Sequence, residues 1–145
     1  MKVNYIKLDP RAILPTYGSP SAAGADLYAL PGEDTVIPPH GTVMLRTGLA
    51  MELPEGYCGL IFARSGIATK RGLAPANKVG VVDSDYRGEF MVALHNHSEK
   101  EERVAGGERI AQLVITPYLR AEFTECDALT ETERGAGGFG STGRK

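Results

Sequence analysis

Cysteine is scarce in this chain, which has only Cys58 and Cys126 among its 145 residues. The two thiols show no C-x-x-C spacing and have no nearby histidine partner in the sequence. This pattern argues against a disulfide framework and against a zinc site. We expect both cysteines to be free thiols in a reducing compartment.

Long apolar runs are also missing. No segment approaches the stretch of about 18 apolar residues that spans a membrane as a helix, and residues 1–15 lack the apolar core of a signal peptide. We therefore expect a cytoplasmic protein that does not enter membranes.

Basic residues are not in excess either, since the chain has 16 Lys and Arg and 18 Asp and Glu. A broad nucleic-acid-binding surface is thus disfavoured.

Glycine and proline, by contrast, are plentiful, at 18 and 9 residues. They interrupt the chain roughly every eight to twelve residues, a spacing typical of short strands. A chain of this length forms one domain with a real core. We predict an all-β, single-domain fold with strands that include residues 3–8, 35–38 and 42–45, and a central strand in the strongly apolar run 57–63.

Residues 79–90 read VGVVDSDYRGEF, an acidic turn between two apolar runs. This pattern predicts a β-hairpin with Asp83 at its tip. A short carboxylate on a rigid support is suited to act as a general base. The alternative is an ordinary Asx-type turn without chemistry.

Residues 64–72 follow the predicted central strand and begin with Arg64, Ser65 and Gly66. A hydroxyl between Arg and Gly can bind phosphate through the side chains and the backbone N–H groups together. Ser65 could also be the N-cap of the one short helix that the sequence favours, and both roles are compatible.

Two further polar residues stand within apolar strands. Asp26 begins a half-buried strand, where its carboxylate could simply accept hydrogen bonds from neighbouring backbone N–H groups. Gln112 lies in the middle of an apolar strand and needs a specific partner.

Residues 95–103 predict a solvated turn. His95 and His97 within it have the spacing of metal ligands, but no third ligand of the right type stands nearby. We therefore do not predict a metal site at these histidines.

The C-terminal stretch 134–145 is rich in glycine and carries Phe139, hydroxyl groups and two arginines. Such a segment forms no stable element alone, so we expect a mobile tail. Its composition suits a phosphate cradle that closes on a ligand. A linker without function is the alternative.

Five stretches taken together resemble one family in the right order: AGADLYA, ARSGIATKRG, NKVGVVDSDYRGE, GERIAQL and RGAGGFGSTG. The chain is similar to the homotrimeric all-β dUTP pyrophosphatases (dUTPases). One departure is Ala63, where a proline commonly precedes Arg-Ser-Gly. The resemblance implies a distorted β-barrel or jelly-roll-like domain over residues 1–133, and a tail of residues 134–145 that closes over the active site of a neighbouring subunit.

The activity that this resemblance implies is Mg²⁺-assisted hydrolysis of dUTP to dUMP and pyrophosphate, which limits uracil in DNA and supplies dUMP for thymidylate synthesis. Asp83 would activate the water that attacks the α-phosphorus, without a covalent intermediate. The implied substrate-binding residues are Arg64, Ser65, Gly66, Asn77, Gly80, Val81, Val82, Tyr86, Met91, Gln112, Arg134, Phe139, Ser141 and Thr142.

Each implied role has its own position. Uracil would pair with the backbone of residues 80–83, aided by Asn77, and Tyr86 would pack on the deoxyribose. Asp26 would lie near the water shell of the Mg²⁺. Each site of the homotrimer would draw residues from three chains.

Two rival functions are weighed against this one. A dCTP deaminase of the same fold needs a glutamate on the strand after the acidic turn, where this chain has Ala93. A nucleotide sensor without catalysis would have no use for Asp83 as a base.

Overall fold

A computed structural model describes residues 1–138 of the chain. In this range the backbone forms twelve strands and one helix. In chain order they are β1 (Asn4–Lys7), β2 (Thr16–Tyr17), β3 (Ala25–Tyr28), β4 (Thr35–Ile37), β5 (Thr42–Leu45), β6 (Leu49–Glu52), β7 (Tyr57–Phe62), α1 (Ser65–Arg71), β8 (Leu73–Pro75), β9 (Gly80–Val82), β10 (Val92–Asn96), β11 (Glu102–Val104) and β12 (Arg109–Pro117).

The largest sheet has five antiparallel strands in the order β2-β3-β12-β7-β9. β7 lies between β12 and β9, so the predicted central strand is confirmed. β9 is the last strand on its side of the sheet, which leaves one edge of its backbone without a neighbouring strand among the described residues.

The other strands form three smaller sheets, β5-β10-β8, β1-β6 and β4-β11. One hydrophobic cluster takes side chains from both larger sheets, including the fully buried Leu27, Leu94 and Ile110. Burial of each such side chain contributes about 1.5–3 kcal/mol. The predicted all-β, jelly-roll-like fold with one short helix is confirmed, and across residues 1–138 the sheets do not join into a closed barrel.

The predicted hairpin over residues 79–90 is wrong. β9 pairs with β7, whereas β10 begins only at Val92 and pairs with β5 and β8. The acidic turn therefore connects two different sheets. Apolar, β-branched runs favour strands on both sides of the turn, but they do not specify which strand each one pairs with.

The helix α1 confirms the short helix expected after the central strand. Ile67 anchors it in the core, and Gly72, with a φ of 67°, ends it in the left-handed conformation. The N-cap is Arg64, without a side-chain capping bond, and Ser65 is the first helical residue. The interpretation of Ser65 as N-cap is therefore wrong, and its hydroxyl remains available for other partners.

The solvated turn predicted at residues 95–103 is present but shorter, at residues 97–101, because both ends of the predicted segment belong to strands. Asn96 is fully buried, and residues 102–104 form β11. His95 donates to or accepts from the Thr42 hydroxyl at 2.8 Å, and its ring lies 4.4 Å from that of His97. No group of three potential metal-binding side chains occurs among the described residues.

Beyond β12 the chain has a different character. Residues 118–138 contain no helix or strand, and residues 118–136 are all exposed, including Leu119 and Phe123. The loop expected at residues 15–24 contains the short strand β2. Within residues 1–138 no helix has the length and apolarity to cross a membrane.

Candidate active site

Asp83 directly follows β9, at the start of the acidic turn. The backbone N–H of Tyr86 donates to the carbonyl oxygen of Asp83 at 3.2 Å and closes the turn. Arg87 fastens it further, because its guanidinium donates to the carbonyl oxygens of Ser84 and Tyr86 at 2.7 and 3.0 Å. The side chain of Asp83 is thus held on an ordered support, as a general base requires.

A cavity of about 320 Å³ lies beside this turn. Its lining includes seven residues that the sequence predicts for the nucleoside and for catalysis: Asn77, Gly80, Val81, Val82, Asp83, Tyr86 and Met91. The structure therefore brings this part of the predicted site together. The volume is at the small end of ligand pockets.

Four more residues line the same cavity and were missed in the sequence: Met44, Ile61, Glu89 and Phe90. Ile61 comes from β7, opposite Gly80 of β9, and Met44 comes from β5, opposite Ala93 of β10. These contacts depend on strand pairing over long sequence distances, which no local pattern reveals.

Gly80 lies at a narrow part of the cavity and leaves it open because it has no side chain. A Cβ atom at this position would stand 3.3 Å from Cβ of Ile61 and 3.4 Å from Nδ2 of Asn77. A larger residue would therefore press on both neighbours. The backbone of β9 is thus directly accessible from the cavity.

A second, more polar cavity of about 900 Å³ also borders the acidic turn. Asp83 lines this cavity as well, together with three cations and three further carboxylates: Lys2, Arg87, Arg120, Glu52, Glu55 and Asp85. Among the described residues, no hydrogen-bond donor contacts the Asp83 carboxylate. The carboxylate therefore lines both a nucleoside-sized cavity and a polar groove of mixed charge.

The predicted phosphate residues form a separate group around Asp26. Arg64 Nε donates to Asp26 Oδ1 at 2.6 Å, and Arg109 Nη1 donates to Oδ2 at 3.2 Å. The Asp26 side chain is mostly buried. The alternative that its carboxylate serves neighbouring backbone N–H groups is wrong, because its partners are two guanidinium groups.

Gln112 has the specific partner that its position demands. It lies opposite Asp26 in the sheet, and its Nε2 donates to the carbonyl oxygen of Ala63 at 2.9 Å. A Cβ atom at Gly24 would come within 2.5 Å of the Gln112 amide oxygen, so a larger residue there would displace this amide. Gln112 thus fixes the backbone at Ala63, and Asp26 fixes the side chain of Arg64.

The two groups are well separated within one chain. Val82 pairs with Gly59 in the antiparallel register, which places Asp83 at the level of Cys58. Arg64 lies six residues after Cys58 in the chain. At about 3.3 Å per residue, this amounts to about 20 Å along the strand. Neither described cavity that contains Asp83 includes Arg64, Ser65, Gly66, Gln112 or Asp26.

The C-terminal residues of the predicted site are only partly described. Arg134 is exposed, and its Nε donates to the carbonyl oxygen of Gly137 at 2.8 Å. Phe139, Ser141 and Thr142 lie outside the described residues.

This geometry agrees with an enzyme site for a nucleoside phosphate. Comparisons with known proteins identify the family. The dUTPase family model matches residues 10–143. The deoxyuridine 5'-triphosphate nucleotidohydrolase of Desulfitobacterium hafniense is 50% identical over 144 residues, 99% of this chain and 95% of that protein. That of Nautilia profundicola is 47% identical, covering 99% and 100%.

A solved structure agrees with these relatives. A mutant of the Staphylococcus bacteriophage 80alpha dUTPase with dUpNHpp superposes with a TM-score of 0.90 at 28% identity, covering 98% of each chain. The chain belongs to the dUTPase family. The prediction of an enzyme of this class is confirmed.

Proposed function

We propose that the protein hydrolyses dUTP to dUMP and pyrophosphate, with Asp83 as the general base for a water that attacks the α-phosphorus. The observation that carries this proposal is the position of the Asp83 carboxylate at the junction of the two cavities, free of described donors. A carboxylate there can accept a proton from water while the nucleoside occupies one cavity and the phosphates extend away from it. No nucleophilic side chain is needed.

The backbone of β9 supports uracil recognition. Since β9 is the outer strand of its sheet, N–H and C=O groups of Gly80, Val81 and Val82 are available to pair with a base edge. Asn77 at the same cavity adds an amide that can both donate and accept. A slot bounded by Ile61 discriminates against the extra methyl group of thymine by its limited width.

Tyr86 and Met91 complete the nucleoside site. Both are exposed apolar side chains at the mouth of the same cavity. We assign Tyr86 the contact with deoxyribose, where its ring would exclude a 2′-hydroxyl. Met91 would contact the nucleoside from its position just before β10.

Arg64, Ser65, Gly66 and Gln112 are proposed to hold the α- and β-phosphates. The Arg64 guanidinium is oriented by Asp26 through one nitrogen, which leaves other N–H donors for phosphate. Ser65 and Gly66 are exposed at the start of α1. Arg134, Phe139, Ser141 and Thr142 are proposed to close on the γ-phosphate and the base.

The donor set fits a Mg²⁺ that is held chiefly by phosphate oxygens and waters. Among residues 1–138 no cluster of three carboxylate, His or Cys side chains offers a protein cage, and Mg²⁺ often keeps several waters beside substrate phosphates. Both oxygens of Asp26 already accept from arginines, so its contact with the ion would run through water. When bound, the ion would offset the charge of the triphosphate.

The separation of Asp83 from Arg64 supports a site shared between copies of the chain. A separation of about 20 Å follows from the strand rise and from the extended residues after β7, yet the proposed mechanism needs both residues at one triphosphate. We therefore propose a homotrimer whose sites combine residues of different subunits, with residues 1–133 as the domain and 134–145 as a closing tail. The exposed Leu119 and Phe123 support an assembly of several chains. Large apolar side chains on an extended segment such as residues 118–136 are usually covered by a partner.

The test is a product assay with Mg²⁺ and dUTP, dTTP, dCTP or UTP as substrates. We expect dUMP and pyrophosphate from dUTP, and far slower turnover of the other three. Ammonia release from dCTP would indicate a deaminase instead. Tight binding of dUTP without any cleavage would indicate a sensor, and either result would overturn the proposed activity.

A further inference from the structure

The ring of Tyr86 is folded back onto its own chain. Its hydroxyl donates to the carbonyl oxygen of Glu89 at 3.0 Å. The ring also covers Gly88, where an added Cβ atom would stand 2.6 Å from Cζ of Tyr86 and overlap its hydroxyl. Only glycine at position 88 allows this ring position.

Glu89 is itself fixed by its side chain. The backbone N–H of Gly48 donates to Oε1 at 2.7 Å, and Arg46 Nε donates to Oε2 at 3.2 Å. The hydrogen bond with Glu89 raises the pKa of Arg46, so this partner stays charged. The Glu89 side chain is only 15% exposed. A charge-assisted pair in a mostly buried place defines the position of the backbone that carries it.

Phe90, the next residue, is hydrogen-bonded to the same segment as Glu89, residues 47–49. The backbone N–H of Phe90 donates to the carbonyl oxygen of Leu49 at 2.8 Å, and the Thr47 hydroxyl donates to the carbonyl oxygen of Phe90 at 2.6 Å. Phe90 is 1% exposed. The backbone of Glu89 and Phe90 is thus held in place, and the Tyr86 ring is bonded to it at the mouth of the nucleoside cavity.

We propose that Glu89 and Gly88 are positioning residues which fix the Tyr86 ring and thereby set the preference for deoxyribose over ribose. This inference rests on the proposed role of Tyr86 in the proposed function. The Glu89 side chain holds the carbonyl group that receives the Tyr86 hydroxyl, and Gly88 leaves the space that the ring occupies.

The physical reason is the freedom of an exposed aromatic side chain. The Tyr86 side chain is at the surface, with the residue 45% exposed, and without its tether it would move among staggered rotamers. A ring that moves aside admits a 2′-hydroxyl, whereas a ring held in one place excludes it. Discrimination then depends on the tether as well as on the ring.

The test compares kcat/KM for dUTP with kcat/KM for UTP in wild type, Glu89→Gln and Gly88→Ala. Gln keeps the size of Glu89 but brings an amide without charge to Arg46. Gly88 has no left-handed φ, and the three atoms nearest to an added Cβ there all belong to Tyr86, so alanine acts first on this ring. We expect the dUTP/UTP ratio to fall about tenfold in each variant, the effect of one well-placed hydrogen bond. Tyr86→Phe should lower the ratio too, and its combination with Glu89→Gln should lower it by less than the product of the two effects.

Matched controls are Glu33→Gln and Gly18→Ala. Glu33 pairs with Arg46 Nη1 at 3.2 Å and has no described hydrogen bond to residues 86–90, and Gly18 has open space around its Cβ position. Both should keep the wild-type ratio. An unchanged ratio in Glu89→Gln and Gly88→Ala, or equal losses for both substrates, would overturn the inference.

The two levels of failure are distinguishable. Wild-type protein that does not cleave dUTP contradicts the proposed function, whereas active wild type with unaltered selectivity in the variants contradicts only the inference. If Glu89→Gln fails to fold, as judged by circular dichroism, Gly88→Ala decides the question by itself, because it leaves the Glu89 ion pair intact.

Discussion

Asp83 and Asp85 stand two residues apart in one turn, yet their surroundings differ. Both line the polar groove, but only Asp83 also lines the nucleoside-sized cavity. General-base catalysis depends on this placement rather than on acidic charge in the turn.

Replacement of these two residues separates the roles. We predict that Asp83→Asn binds dUTP but lowers kcat by about 100-fold or more, because the amide cannot accept the proton from water. Asp85→Asn makes the same change of charge and should leave kcat nearly unaltered. Steady-state kinetics with a separate binding measurement checks both, and equal losses in the two variants would argue against Asp83 as the base.

The sequence predicts which residues form the site where these residues stand close together in the chain. Asn77, Gly80 and Tyr86 belong to one such stretch, and the structure places all three at one cavity. Glu89 and Arg109 could not be assigned, because their partners Gly48 and Asp26 are distant in sequence. Nothing local in the sequence distinguishes these two charged residues from solvated ones.

At the scale of elements, one buried polar side chain ties β10 to β4 and to the following turn. Asn96 Nδ2 donates to the carbonyl oxygens of Ile37 at 3.1 Å and Lys100 at 2.7 Å, while Oδ1 accepts from the backbone N–H of Ser98 at 2.9 Å. All polar atoms of this buried amide are therefore satisfied.

Removal of this amide should weaken the fold. We predict that Asn96→Ala lowers the free energy of unfolding by about 2–3 kcal/mol, since buried carbonyl groups lose their donors. Denaturant unfolding at fixed protein concentration measures the change. Asn4→Ala removes an exposed amide with one bond to Glu52 and serves as the control. A loss for Asn96→Ala no larger than that of the control would contradict this role.

Strand positions were more predictable than strand partners. The apolar run before Arg64 predicts a central strand because both faces of β7 must be covered. The acidic turn looked like a hairpin because turn residues stood between two strand-like runs. The structure sends those runs to different sheets, a choice that depends on the whole set of available neighbours.

At the scale of the whole molecule, we propose that the active site combines residues from more than one chain. Asp83 and Arg64 lie at opposite ends of the β7 direction. The assembly could not be predicted from composition or periodicity. The family resemblance implies it, and the separation of Asp83 from Arg64 supports it on geometric grounds.

Complementation between two inactive variants tests this arrangement. Asp83→Asn and Arg64→Ala, refolded together in equal amounts, should recover about a quarter of wild-type activity if each site takes one residue from each of two randomly mixed subunits. Arg109 still pairs with Asp26 in the Arg64 variant, which avoids an unpaired buried carboxylate. Light scattering should confirm trimers in both parents. Recovery no greater than that of the separate variants would contradict shared sites.

The most direct test of the central claim is the fate of the oxygen atom from water. Wild-type protein would cleave dUTP in water enriched in ¹⁸O, and mass spectrometry would locate the label in the products. Attack on the α-phosphorus predicts one ¹⁸O atom in dUMP and none in pyrophosphate. Label in pyrophosphate would show attack on the β-phosphorus and would contradict the mechanism assigned to Asp83.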